Sequence, residues 1–173
     1  QQKNQQEQPT EEETSSPALL GTPAPTAALA ANGDHAADHS GFKKLYMEEG
    51  EDGTSTLMKG DKEWTPTKTD GKDCLTLEAG SYYLGSDLTL TNAFIGILGT
   101  NVTLCLNGNT IKTEGTSLDY AILVDWVSRN NTPGHLTLTD CSTDPNKPGT
   151  ISGGKSAAVK VLGGSTLNMH GGT

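Results

Sequence analysis

The sequence predicts an all-β fold, a parallel β-helix (β-solenoid) of stacked units of short strands. The first observation is a phrase that recurs three times from Phe94 onward: a β-branched run, a Gly- or Pro-containing turn, a second alternating run, and then a Gly-flanked Thr-Ile or a bare Gly-Thr. The units read FIGIL-GTN-VTLCL-NGNTIKT from Phe94, AILVDWV-SRNNTPGH-LTLTDC with GTISGG from Ala121, and AVKVL-GGS-TLNMHGGT from Ala158. The second observation is composition: only 32% of the 173 residues are hydrophobic and 21 are glycine, which does not favour a two-layer globule. Helical periodicity is absent from the repeats. A single unit of short strands cannot bury its own apolar face, so it needs neighbours above and below it.

Residues 1–41 are Gln, Glu, Thr, Pro and Ala in low-complexity order and are expected to form a disordered tail or linker, because they carry too little apolar surface to offset the entropy of ordering. Within them Ala28-Leu29-Ala30-Ala31 has the small-x-small form of a leader cleavage site but lacks a basic flank, leaving a leader remnant and an Ala-rich linker as alternatives. Residues 42–80 are read as an irregular acidic capping segment with Leu45, Tyr46, Leu57, Met58 and Trp64 as apolar anchors, since the open end of a solenoid needs covering. Residues 81–173 are read as the stacked units. Every Ile and Val lies from Ile95 onward, and residues 1–80 hold 15 of the 21 acidic groups, so the apolar core and the acidic charge separate along the chain.

Alternation sets the strand faces. Leu88 and Leu90 alternate with Thr89 and Thr91, and Val102, Leu104 and Leu106 point one way while Thr103 and Cys105 point the other. Leu136 and Leu138 repeat the pattern, then Leu167 and Met169, while Ile122 and Val124 return as Val159 and Val161. The register leaves two choices, Leu104 or Val102 opposite Leu136. Unequal steps between units mark loops of unequal length, with Ser142 to Pro148 as the clear insertion. Asn107-Gly108, Pro133-Gly134 and Gly163-Gly164 are expected to turn the corners between three strands per unit, with glycine supplying positive φ.

Charge and hydropathy narrow the partners. A net charge of −9 with Arg129 as the sole arginine argues against nucleic acid, which demands a clustered basic surface, and no stretch approaches the ~18 apolar residues of a membrane-spanning helix.

The phrases HSGF at His39, LEAGSYYLGSDLTL at Leu77, VTLCLNGNTI at Val102, LTLTDCS at Leu136, GTISGG at Gly149 and STLNMHGGT at Ser165 resemble a family of right-handed parallel β-helix proteins, the pectin-lyase-like group. Within it the chain is similar to the repeat regions of large secreted or surface proteins of Gram-positive gut bacteria. The resemblance covers residues 77–173, with HSGF beyond. It implies an extracellular location and a surface role in adhesion or carbohydrate binding, and a chain incomplete at its C-terminus, because further units normally follow NMHGGT.

Enzymatic chemistry finds thin support. A polysaccharide lyase of this fold needs carboxylates gathered around Ca2+ and a basic side chain beside them, yet the repeats offer only Asp87, Glu114, Asp119, Asp125, Asp140 and Asp144, with no paired carboxylates, and Arg129. For a glycoside hydrolase Asp125 with Asp140 is the least unsuitable pair, although Asp140 is expected to bind corner amides. His35 and His39, flanked by Asp34 and Asp38, have the spacing of two metal ligands, but no third-ligand motif follows and a solvated polar stretch is expected. His135 and His170 are isolated and read as outward-facing. Aligned either way, Cys105 falls beside Thr137 or Thr139 and does not stack on Cys141, so Cys74, Cys105 and Cys141 are expected as free thiols. Tyr82, Tyr83 and Trp126 would make a sugar platform if exposed, but aromatics beside Leu and Ile more often fill a core.

The expectation is therefore a non-catalytic extracellular surface module, a rigid stalk or adhesin-like face for a glycan or a host or bacterial surface protein. The alternative is a fragment of a β-helix polysaccharide lyase or glycoside hydrolase. No catalytic, cofactor-binding or metal-binding residue is assigned and no cofactor is expected.

Overall fold

The computed structural model describes residue 35 and residues 38–115, 118–127 and 131–173. Residues 1–34, 36 and 37 of the expected tail, with the Ala28–Ala31 site and Asp34 among them, lie outside the described residues, as does Arg129, whereas His35 and residues 38–41 are described and are not a disordered tail, because the His39 ring is buried against Tyr83. Among those described, every regular element is a strand, and no helix is long and apolar enough to cross a membrane.

The strands are β1 (Lys43–Glu49), β2 (Ser55–Lys59), β3 (Lys62–Glu63), β4 (Thr67–Thr69), β5 (Lys72–Thr76), β6 (Gly80–Leu84), β7 (Leu88–Thr91), β8 (Ala93–Leu98), β9 (Asn101–Cys105), β10 (Thr110–Glu114), β11 (Tyr120–Asp125), β12 (His135–Thr139), β13 (Thr150–Ser152), β14 (Ala157–Val161) and β15 (Thr166–Met169). They form three sheets. The seven-stranded sheet runs β15-β12-β9-β6-β1-β2-β3, the five-stranded sheet β14-β11-β8-β5-β4, and the three-stranded sheet β13-β10-β7. From β5 onward the chain visits the five-, seven- and three-stranded sheets in that order and begins again, and each strand lies parallel to its counterpart one cycle earlier.

Parallel register lays the apolar positions over one another. Leu75, Ile95, Ile122 and Val159 align across the five-stranded sheet, and Leu88, Ile111 and Ile151 across the three-stranded one. In the seven-stranded sheet Val102 faces Leu136 and Leu136 faces Leu167, which resolves the two expected registers in favour of Val102. These residues belong to one apolar cluster drawn from all three sheets, with Val159 and Leu167 packed at its margin. At ~25 cal/mol per Å2 of apolar surface, such burial is the dominant favourable term. Met169 departs from expectation: it is 52% exposed, because β15 is an edge strand and Leu138 supports it from one side only.

The segment 42–80 is not irregular. It forms β1 to β5: β1 lies parallel to β6, β5 lies parallel to β8, and β2, β3 and β4 fold back as antiparallel neighbours. Trp64, the apolar residue between β3 and β4, is buried in the main cluster and donates its indole N–H to Thr76 O at 3.1 Å. Its polar tip finds a backbone partner while its ring takes an apolar place.

The corners use two physical devices. Asn107 and Gly108 have φ of 51° and 68°, the left-handed geometry expected of an Asn-Gly turn. Gly134 was expected to supply positive φ as well, but its role is close approach: a Cβ there would lie 2.4 Å from Ile97 O and 2.7 Å from Asp125 O.

Candidate functional site

Cys105 alternates with the core residues Val102 and Leu104 and so faces the outer side of the seven-stranded sheet, in register with Tyr83 on one side and Thr139 on the other. An outward thiol would ordinarily meet water, but Cys105 is fully buried. Beside it lies a tight turn built by the HSGF phrase. Asp38 Oδ1 accepts from Ser40 N at 3.0 Å, His39 O accepts from Phe42 N at 2.9 Å, and His39 takes a left-handed φ of 55°. The His39 ring stacks on Tyr83 with centroids 4.2 Å apart and planes 10° from parallel. The ring of His35 packs against both His39 and Phe42, at centroid distances of 5.0 and 4.7 Å.

The second thiol arrives from the corner after β12. Asp140 is buried, and its carboxylate accepts from Gly108 N at 2.8 Å, Gly149 N at 2.6 Å and Ser142 N at 3.2 Å. That is the expected corner role. By tying the chain on both sides of Cys141 to the neighbouring corner, Asp140 brings Cys141 Sγ to 3.3 Å from Cys105 Sγ. The sequence expectation that these cysteines stay apart holds for the strand ladder, where Thr139 faces Cys105, and fails for the sulfur atoms, because the chain bends at Asp140. Both remain free thiols.

Cys141 Sγ also lies 3.2 Å from His39 Nε2 and 3.3 Å from Asn107 Oδ1. Four side chains, His35, His39, Cys105 and Cys141, thus offer ligand atoms that all lie within 4.8 Å of one another. Among the described residues His35 Nε2 is buried and has no hydrogen-bond partner. Burial pushes the Cys141 thiol up to about 12, with the Cys105 thiol adding to the shift. Burial also lowers His39 below the usual histidine range, helped by His35 and opposed by Asp38. The neutral forms of Cys141 and His39 are therefore favoured.

The pair His35 and His39 was legible in the sequence as a ligand spacing, and the absence of a metal site was inferred because no third ligand followed. The further ligand-type side chains that lie beside them come from Cys105 and Cys141, far along the chain from the histidines. Their only sequence signal was the outward parity of Cys105 and its place in the recurring unit.

The remaining candidates are dispersed. Asp87 Oδ1 accepts from Thr110 N at 2.8 Å, Asp125 Oδ1 from Trp126 N at 2.8 Å and Asp144 Oδ1 from Asn146 N at 2.9 Å. Glu114 pairs with Lys112 at 2.8 Å and Asp119 with Lys72 at 3.8 Å. Tyr82 is buried in the core with its hydroxyl donating to Glu78 O at 2.9 Å, Tyr83 lies under His39, and Trp126 is 41% exposed over Gly163, so the three aromatics do not form one platform. Cys74 is buried with Phe94, Leu118 and Leu123 in a smaller apolar cluster, and burial raises its thiol. His135 Nδ1 lies 2.7 Å from Thr166 Oγ1, and His170 is exposed. An open groove of about 920 Å3 lies between the β1–β2–β3 strands and β7, with Glu49, Leu57, Glu63, Trp64, Asp87 and Thr91 on its walls.

No family model, no curated protein and no solved structure matches the chain.

Proposed function

We propose that the chain is a β-solenoid module of the pectin-lyase-like group and acts as a non-catalytic, extracellular surface element that presents a rigid face to a glycan or a surface protein. The observation that carries this reading is the disposition of the carboxylates in the recurring units: each is engaged by a backbone amide or a lysine, either locally or from a neighbouring strand or corner. Side chains so engaged reinforce an architecture and leave little charge free for acid–base work. The cyclic return to three parallel sheets supports the solenoid, since strands ~4.8 Å apart hold outward side chains at constant spacing. Regular spacing favours multivalent contact with a repeating polymer. The secreted or cell-surface location rests on the resemblance of the phrases from Leu77 to Thr173.

The alternative, a polysaccharide-cleaving module, has one observation in its favour. The groove beside β7 has Glu49, Glu63 and Asp87 on its walls. A panel of plant, host and bacterial polysaccharides incubated with the chain separates the two. The surface-module reading expects retention on one polymer class with no new reducing ends and no unsaturated uronate. Turnover that disappears in Glu63→Gln or Asp87→Asn would replace it with the enzyme reading.

A further inference from the structure

The geometry points to a structural metal centre in which His35, His39, Cys105 and Cys141 together bind one thiophilic divalent cation, Zn2+ being the best match. Two thiols and two imidazoles are a donor set of structural zinc sites, and the three residues between His35 and His39 fit the spacing of paired histidine ligands. A tetrahedral site with Zn–S near ~2.3 Å and Zn–N near ~2.0 Å sets its donors roughly 3.3 to 3.8 Å apart. The observed separations of 3.2 Å from His39 Nε2 to Cys141 Sγ and 3.3 Å between the sulfurs need only small side-chain rotations to reach that geometry. The second, independent observation is the orphaned ring nitrogen. A buried His35 Nε2 without a partner is costly, and a cation satisfies it.

A Cys105–Cys141 disulfide is the competing use of the same sulfurs. It would employ neither imidazole and would leave His35 Nε2 as it is. The four-ligand reading accounts for all the groups, including the burial of an outward-facing cysteine beneath the His39 turn. Bound metal would fasten the segment around His35–Phe42 to two successive units of the seven-stranded sheet, and it would shield both thiols from oxidation. It does so independently of the ligand proposed for the module.

The test uses the untagged full chain, reduced, freed of metal by chelation and titrated with Co2+. Residues 1–34 contain neither histidine nor cysteine, so the tail adds no competing soft ligands. The expected result is saturation at one Co2+ per chain, with a thiolate-to-cobalt charge-transfer band and the intense visible absorption of tetrahedral coordination, both displaced by Zn2+. Cys105→Ser, Cys141→Ser and His39→Ala should each weaken binding by at least the ~10- to 100-fold that even outer-shell changes cost, and Cys74→Ala should leave the titration unchanged. Should the buried Cys105→Ser variant fail to fold, Cys141→Ser at the half-buried corner carries the same test. Weak octahedral cobalt absorption without a thiolate band, equal affinity in Cys141→Ser and the parent, or a Cys105–Cys141 disulfide that re-forms in the presence of Zn2+ would each overturn the proposal.

Discussion

On the inner face of the seven-stranded sheet Tyr82, Leu104 and Leu138 lie in register within the main apolar cluster, whereas on its outer face their neighbours Tyr83, Cys105 and Thr139 lie in register and are joined by His39 and Cys141. The same strands build both faces. The inner face is held by contact among like residues, each supported by the unit before and after it. The outer face is polar and sulfur-bearing, and is assembled from a distant turn and a corner. An arrangement of parallel strands in register thus stabilises through one side and is free to carry chemistry on the other.

The largest expected effect breaks the inner face. Leu104→Ala removes a fully buried side chain flanked by Tyr82 and Leu138 and should cost about 2 to 5 kcal/mol in urea unfolding, while Met169→Ala, at the exposed edge, should stay within about 0.5 kcal/mol. Equal costs for the two would mean that the ladder is not what stabilises the fold. Next comes the corner that links the faces. Asp140→Ala leaves three backbone amides without their acceptor and should cost roughly 3 kcal/mol, and it should also raise the alkylation rate of Cys141 as the corner loosens. A stability loss with unchanged thiol reactivity would separate the corner from the site.

A change of opposite sign probes the outer face. Thr139 is buried and its Oγ1 has no partner among the described residues, so Thr139→Val should raise stability by about 1 kcal/mol, measured by the shift in urea midpoint. The smallest effect lies at the surface. Glu78 is held below the usual glutamate range chiefly by the Lys59 ammonium, whose Nζ sits 2.8 and 2.9 Å from its oxygens. Its folded state therefore prefers the carboxylate. The contribution is present above the unfolded glutamate pKa and fades as pH falls through the lower folded value. Because the side chain is 67% exposed, solvent screening limits it to a few tenths of a kcal/mol, and Glu78→Gln should erase that part of the acid dependence.

The inner face was legible because burial imposes a period of two on strands. Ile122 and Val124 announced Val159 and Val161 directly, and the pairing of Leu136 with Leu167 followed from the same alternation. The choice between Leu104 and Val102 was not legible, since a shift of two residues keeps the same side chains on the inner face and satisfies the hydrophobic pattern equally. Residues 42–80 were misread because β2, β3 and β4 run antiparallel and carry little of the recurring phrase. The histidine–cysteine cluster was half legible. The spacing of His35 and His39 is local, but Cys141 reaches Cys105 through a bend set by Asp140, and no period in the sequence encodes where a bent corner puts a sulfur.

The central claim is that successive units lie parallel, one upon the next, around a shared apolar interior. Methyl-to-methyl NOE spectroscopy on Ile-, Leu- and Val-labelled protein tests it most directly. The account predicts contacts from Ile95 to Ile122 and from Ile122 to Val159, with no direct contact from Ile95 to Val159, two strands apart. Val159 methyls that contact Ile95 while missing Ile122, or cross-strand amide contacts in an antiparallel pattern between these strands, would contradict it.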